Sequence, residues 1–63
     1  MARKKLKDFK ILFVEDEERI RHHIVNSLGY LVEDVKEAIN GLDALEVLKN
    51  YSPDIIITDL EMP

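Results

Sequence analysis

The fold is decided by one stretch of sequence, Asp54-Ile55-Ile56-Ile57-Thr58-Asp59-Leu60-Glu61-Met62-Pro63. Its run of three isoleucines is short, β-branched and apolar, which is typical of a parallel strand buried on both faces. The run leads to a carboxylate, Asp59, and Pro63 then restricts Met62 to extended or turn conformations. Open α/β sheets bind ligands at the carboxyl ends of their strands, so Asp59 is a candidate functional residue.

A second stretch near the amino terminus has the same design. Residues 11–14, Ile-Leu-Phe-Val, predict another buried strand, which is followed by Glu15 and Asp16. If the two strands are parallel neighbours, three carboxylates meet at one edge of the sheet. Two such charges 4 Å apart repel by roughly 1 kcal/mol in water and about 4 kcal/mol in a partly buried site. Because Mg²⁺ prefers oxygen ligands and is often held by one or two carboxylates, the cluster predicts a Mg²⁺ site.

Length and composition limit the class of protein. The chain has 63 residues and no cysteine, so it forms one domain at most and has no disulfides to strengthen a small core. No apolar stretch approaches the roughly 18 residues of a membrane span, and the basic start lacks the apolar segment of a signal peptide. We therefore expect a soluble cytoplasmic protein without membrane contact.

Charge is distributed unevenly. Residues 1–10 hold five basic residues and one acidic residue, a net charge of +4, whereas the whole chain carries −4. We therefore divide the chain into a basic N-terminal arm, residues 1–9, and a domain, residues 10–63. A short basic run without aromatic residues is more often a solvated, frayed terminus than a nucleic-acid or membrane contact.

The apolar pattern predicts alternating strands and helices. We expect strands at about 10–15, within 32–38 around Val35, and at 54–58. A first helix is expected at about 17–31, capped by Asp16, which is also an ion-ligand candidate. Its expected apolar face consists of Ile20, Ile24, Leu28 and Leu31.

A second helix is expected to begin at Asn40 as its cap, with Asp43 three residues later. Its expected apolar face consists of Ala44, Leu45 and Leu48. This β-α-β-α-β alternation predicts an α/β fold with a parallel, doubly wound sheet in strand order 2-1-3 and one helix on each face. The gap between the first and third strands is then the topological switch point, where the three carboxylates lie.

The sequence resembles the receiver domain of bacterial two-component response regulators. Residues 11–17 (Ile-Leu-Phe-Val-Glu-Asp-Glu) and 54–63 carry the resemblance, and residues 40–45 (Asn-Gly-Leu-Asp-Ala-Leu) look like the start of the family's second helix. The resemblance covers residues 10–63 and implies the N-terminal half of a CheY-like, flavodoxin-like receiver domain.

The resemblance also implies roles for the acidic residues. Asp59 would be the phospho-acceptor, Asp16 would bind Mg²⁺ directly, and Glu15 would act through water or hydrogen bonds. The main-chain carbonyl of Glu61 would complete the metal site. The expected donor is a phosphohistidine on a sensor histidine kinase or phosphotransfer protein, or a small acyl phosphate. We expect a signalling module and not an enzyme.

The sequence departs from the family pattern in its length. A receiver has five strand–helix units, and this sequence holds two and a final strand. We therefore expect a truncated receiver without the switch or output, for which nucleic acid is a partner only through a missing output domain. The alternative hypothesis is a structural half-module that forms a homo-oligomer, because isoleucines on both faces of an edge strand favour pairing near residues 54–58.

Other candidate sites are less favoured. Adjacent helical residues point in different directions, so we do not expect His22 and His23 to share a metal. They are more simply a solvated or partly packed pair, with contact to a kinase as the alternative. A strand that ends in aspartate also occurs in nucleotide hydrolases, but the sequence has no Gly-rich phosphate loop. Thr58 is interpreted as a packing residue.

Overall fold

The computed structural model describes residues 5–58. Its strands are β1 (Lys10–Val14), β2 (Asp34–Ala38) and β3 (Ile55–Thr58), its helices are α1 (Glu18–Gly29) and α2 (Gly41–Leu48), and a short 3-10 helix spans Leu6–Asp8. The strands form one parallel sheet in the order β2-β1-β3. The predicted α/β fold and strand order are confirmed.

The core lies against the two faces of β1, the central strand. Leu12 and Val14 point to one face, where they pack with Ala38 of β2 and with α2. Side chains alternate along a strand, so Ile11 and Phe13 point to the opposite face, and both are buried. The first connection runs from β1 to β2 and the second runs back from β2 across the sheet to β3. Since such crossovers are right-handed in nearly all proteins, the two helices are expected on opposite faces, with α1 on the face of Ile11 and Phe13.

The start of α1 differs from the prediction. The helix begins at Glu18, its N-cap residue is Glu17, and no side chain caps it. The expectation that Asp16 caps the helix is therefore wrong. Instead, a carboxylate oxygen of Glu15 accepts a hydrogen bond from the backbone N–H of Glu17 at 3.1 Å. This bond closes the turn between β1 and α1 and leaves the Asp16 side chain without a capping role.

The buried face of α1 also differs from the prediction. Ile20 and Leu31 are exposed, Ile24 and Leu28 are half-buried, and the one helix residue that is fully buried is Arg21. Positions 21, 24 and 28 follow the spacing of one helix face. The helix therefore turns this face to the sheet.

The second helix begins as predicted. The Asn40 side-chain oxygen accepts from the N–H of Asp43 at 2.8 Å, and a carboxylate oxygen of Asp43 accepts from the N–H of Ile39 at 2.9 Å. Leu45 does not belong to the apolar face, because it is 61% exposed. Val47 packs against the core instead, beside Leu48.

The isoleucines of β3 are less covered than a strand buried on both faces would be. Ile56 is 52% exposed, and its two neighbours are also exposed. The cause is the position of β3, which lies at the edge of the described sheet and pairs with β1 alone. Both helices have their main contacts with β1 and β2.

The described part of the basic arm is attached to the domain. The carbonyl of Lys7, within the 3-10 helix, accepts from the N–H of Glu33 at 2.9 Å. At the start of β1, the N–H of Lys10 donates to the Asp54 carboxylate at 2.7 Å, and the N–H of Asp54 donates back to the Lys10 carbonyl at 2.8 Å. Residues 6–8 are therefore not a frayed terminus.

Candidate acceptor edge of the sheet

The candidate site lies where β1 and β3 end. The two strands are parallel neighbours, and their register places Val14 beside Thr58. Glu15 and Asp16 follow Val14, and Asp59 follows Thr58 in the sequence. Two of the predicted site residues therefore leave the sheet at this edge, whereas Asp59 and Glu61 lie outside the described residues.

Glu15 is held from three directions. Its side chain is buried, and the residue is only 5% exposed. Its N–H donates to the Ala38 carbonyl at 3.0 Å and so continues the pairing of β1 with β2. Its carboxylate accepts from the Glu17 N–H, and its own carbonyl accepts from Nη1 of Arg21 at 3.0 Å. Glu15 is thus fixed within the turn.

Asp16 has the opposite environment. It is exposed to solvent although both of its neighbours, Glu15 and Glu17, take part in the turn. Its carboxylate is therefore available to an external ligand. The structure separates the two adjacent acids into a buried residue and an accessible one, a distinction that the sequence alone does not predict.

Arg21 is a residue that the sequence analysis missed. It lies on α1, is 8% exposed, and donates to the Glu15 carbonyl. Its Nε lies 3.4 Å from Oε1 of Glu37 on β2, and Nε2 of His22 lies 3.8 Å from the same oxygen. The signal was present in the spacing of Arg21, Ile24 and Leu28, which puts a basic residue in line with the apolar face.

The residues at this edge fit a hard divalent cation. Within residues 5–58 no group of three or more potential metal ligands comes together. Glu15 and Asp16 supply carboxylate oxygens, and no sulfur or imidazole stands beside them in the turn. Mg²⁺ takes oxygen ligands and is usually held by one or two carboxylates, with water or phosphate in the other positions. Glu15 and Asp16 are of the chemical type that this requirement calls for.

The histidines lie on α1 and are not part of the turn between β1 and α1. His22 and His23 are both exposed, as expected, and they line a shallow surface cavity with Glu17, Arg19 and Ile20. His22 approaches Glu37, and the described residues show no metal cluster there.

The family model of the response regulator receiver domain matches residues 11–63. The chain belongs to this family. Receiver domains are modules of two-component signalling, and the three strands and two helices are part of the flavodoxin-like receiver fold. Within residues 5–58, neither helix of this receiver domain has the length and apolar character needed to cross a membrane.

The proteins to which this chain is similar include a chemotaxis protein, a sensor histidine kinase and a regulator. Chemotaxis protein CheY of Halobacterium salinarum is 37% identical over 54 residues, which are 86% of this chain and 45% of that protein. Sensor histidine kinase RcsC of Salmonella typhimurium is 39% identical over 56 residues, 89% of this chain and 6% of the kinase. Regulator of RpoS of Escherichia coli is 39% identical over 54 residues, 86% of this chain and 16% of the regulator.

The receiver domain therefore spans less than half the length of these relatives. No solved structure matches it significantly.

Proposed function

We propose that this receiver domain accepts a phosphoryl group on Asp59 in a Mg²⁺-dependent reaction. The observation that carries the proposal is the parallel register of Val14 and Thr58. Strand ends that lie side by side support convergence of the residues that follow them, Glu15 and Asp16 on β1 and Asp59 after β3. The proposed donor is a phosphohistidine of a sensor histidine kinase or phosphotransfer protein.

The environments of the two described acids support different roles for them. The exposed Asp16 is suited to bind Mg²⁺ directly. Glu15 is buried and already accepts a hydrogen bond from Glu17, so it is suited to act through water or through the shape of the turn. The main-chain carbonyl of Glu61 is the fourth proposed contribution. The cysteine-free composition supports a reducing, cytoplasmic setting.

The proposed reaction exchanges one phosphorus bond for another. A carboxylate oxygen of Asp59 attacks the phosphorus, and the P–N bond of the donor breaks as the new P–O bond forms. The imidazole keeps the electron pair of the broken bond and takes a proton from water. When bound, Mg²⁺ neutralises the charges of the carboxylates and the phosphoryl oxygens.

Intact mass spectrometry after treatment with acetyl phosphate tests the proposal. We expect one phosphoryl adduct that forms with Mg²⁺, does not form with excess EDTA, and is lost in Asp59→Asn. The matched control is Asp54→Asn at the opposite end of β3, which keeps an acceptor oxygen for the Lys10 N–H and should still form the adduct. An adduct that persists in Asp59→Asn would show that another residue is the acceptor.

A second candidate function is self-association of this chain through β3. The exposure of Ile55, Ile56 and Ile57 on an edge strand favours it, because such an edge is a template for pairing with another chain. Full burial of one isoleucine side chain is worth about 1.5–3 kcal/mol. A second copy paired along β3 would cover these side chains.

Sedimentation of the 63-residue chain tests this second candidate. We expect a dimer or larger species. Ile56→Lys should convert it to a monomer, because the substitution places a charge in the proposed interface between the copies. Leu45→Lys is the matched control, since Leu45 is also an exposed apolar residue, lies on α2 and is outside the proposed interface. A folded monomer at high micromolar concentration would contradict self-association.

A further inference from the structure

Arg21 is a buried cation whose place in the fold is unusual. Long basic side chains are rarely buried unless they are paired, and this one lies between the helix α1 and the ends of two strands. Its Nη1 donates to the Glu15 carbonyl at 3.0 Å, and its Nε approaches Glu37 of β2 at 3.4 Å. A single side chain thus ties α1 to the carboxyl end of β1 and to β2.

The bond to the Glu15 carbonyl has a direct effect on Asp16. The carbonyl of Glu15 and the N–H of Asp16 belong to the same planar peptide unit. A donor that fixes the carbonyl also fixes the plane in which the chain enters Asp16. The other side of the turn is fixed by the bond between the Glu15 carboxylate and the Glu17 N–H. Asp16 therefore lies between two anchored peptides while its side chain is exposed.

We propose that Arg21 is a positioning residue for the Mg²⁺ site, which it serves by orienting the peptide between Glu15 and Asp16. This inference rests on the proposed function, because it gives Asp16 the role of ligand. In this role Arg21 acts through the backbone and is not itself a ligand of the ion. Its planar guanidinium reaches two acceptors on different elements at once, which the ammonium of a lysine does not reproduce.

Arg21 could affect the site through its charge or through its contacts with the turn. These two roles predict opposite changes in the affinity for Mg²⁺ when Arg21 is replaced. If the guanidinium acted only through its charge, its removal would strengthen the binding of a cation nearby, because a repulsive charge would be lost. If it acts by orienting the turn, its removal weakens binding, because the ligand is no longer held ready. The direction of the change in affinity therefore decides between the two.

The test is a Mg²⁺ titration of the chain followed through backbone amide shifts, which report on the folded population. We expect the parent to bind and Asp16→Asn to lose binding. In Arg21→Met the Kd for Mg²⁺ should rise about tenfold, the lower end for residues that orient metal ligands, with shifted amides at Asp16 and Glu17. Arg19→Met is the matched control, since it removes the same charge from an exposed position of α1 and should leave the Kd unchanged or slightly lower.

The outcomes separate the inference from the function on which it rests. A parent that shows no Mg²⁺-dependent shifts contradicts the proposed function and this inference together. A parent that binds, with an equal or lower Kd in Arg21→Met, contradicts the inference alone. If Arg21→Met does not fold, Arg21→Lys decides, because it keeps the charge and loses the double contact. A Kd equal to the parent's in that variant contradicts the inference, and a higher Kd supports it.

Discussion

Glu15 and Asp16 show how neighbouring residues of the same charge acquire different environments. The last bond of the β1–β2 ladder includes the N–H of Glu15, so Glu15 still belongs to the buried end of the strand. Asp16 is the first residue beyond it and is exposed to solvent. If β1 ended one residue later, Asp16 would be the buried residue and Glu15 the exposed one. The different burial of Glu15 and Asp16 therefore depends on where the strand ends.

Tyr51 is the residue for which the structure gives a pH dependence. Burial, and secondly the nearby charge of Asp34, raise the pKa of Tyr51 above 10.0. Its hydroxyl lies 3.4 Å from the Asp34 carbonyl and 3.5 Å from the Ile11 carbonyl. The folded state thus favours the neutral phenol. Its contribution to the free energy of unfolding is complete below pH 10 and is lost as the pH rises through the folded-state pKa.

We therefore predict that Tyr51→Phe flattens the decline of stability above pH 10. At neutral pH the loss of these long hydrogen bonds should cost about 0.5 kcal/mol. Urea unfolding at pH 7 and between pH 9 and 11 measures both effects. Tyr30→Phe is the matched control, since Tyr30 is exposed. An equal alkaline decline in the parent and Tyr51→Phe would contradict the prediction.

The burial of single residues is harder to predict from the sequence than the position of the helix to which they belong. The predicted apolar face of α1 includes Ile24 and Leu28, which do face the core, and Ile20 and Leu31, which are exposed. It omits Arg21 because basic side chains are usually exposed. The burial of Arg21 depends on a carbonyl and a carboxylate supplied by β1 and β2, partners that are far away in sequence. Leu45 was misplaced for the converse reason, since its side chain is apolar but no described element covers it.

At the scale of elements, the two helices begin in different ways. α2 has the reciprocal bonds of Asn40 and Asp43, which satisfy backbone donors at its first turn. α1 has no side-chain cap and is held by the contacts of Arg21 with the sheet. The start of α2 was predictable because its signal is local in sequence, whereas the start of α1 depends on tertiary contacts.

The cap of α2 leads to a simple prediction. Asn40→Ala removes the acceptor for the Asp43 N–H and should lower the free energy of unfolding by about 1 kcal/mol. Asn40→Ser should retain most of the stability, because a hydroxyl oxygen accepts the same bond. Denaturant unfolding measures the difference. Asn26→Ala, on the exposed side of α1, controls for the general loss of an asparagine and should be neutral or slightly stabilising. Equal stability of Asn40→Ala and the parent would contradict the role of the cap.

At the scale of the whole molecule, the strand order predicts that backbone amides are protected from hydrogen exchange to different degrees in the three strands. β1 pairs on both sides and is buried on both faces, whereas β2 and β3 each pair with β1 alone within the described sheet. Both helices have their main contacts with β1 and β2, which leaves β3 the least covered strand. We predict that amide hydrogen exchange is slowest in β1 and fastest among the strands in β3, because β3 can open without disrupting the core that the helices form with β1 and β2. NMR-detected exchange into D₂O gives the order. Uniform protection of the strands would show that β3 opens only when the whole sheet unfolds.

The reciprocal bonds between Lys10 and Asp54 set an order of events during folding. These residues are 44 positions apart, close to twice the separation of Lys10 from its partner in β2. Each doubling of a closed loop costs about 0.6 kcal/mol in chain entropy, and the isoleucines of β3, which are 37–52% exposed, bury less apolar surface than the residues of β1 to offset that cost. We expect docking of β3 to be the last step. The edge at which β1 and β3 end side by side then exists only in chains that have completed it, so a partner that recognises this edge selects fully folded molecules.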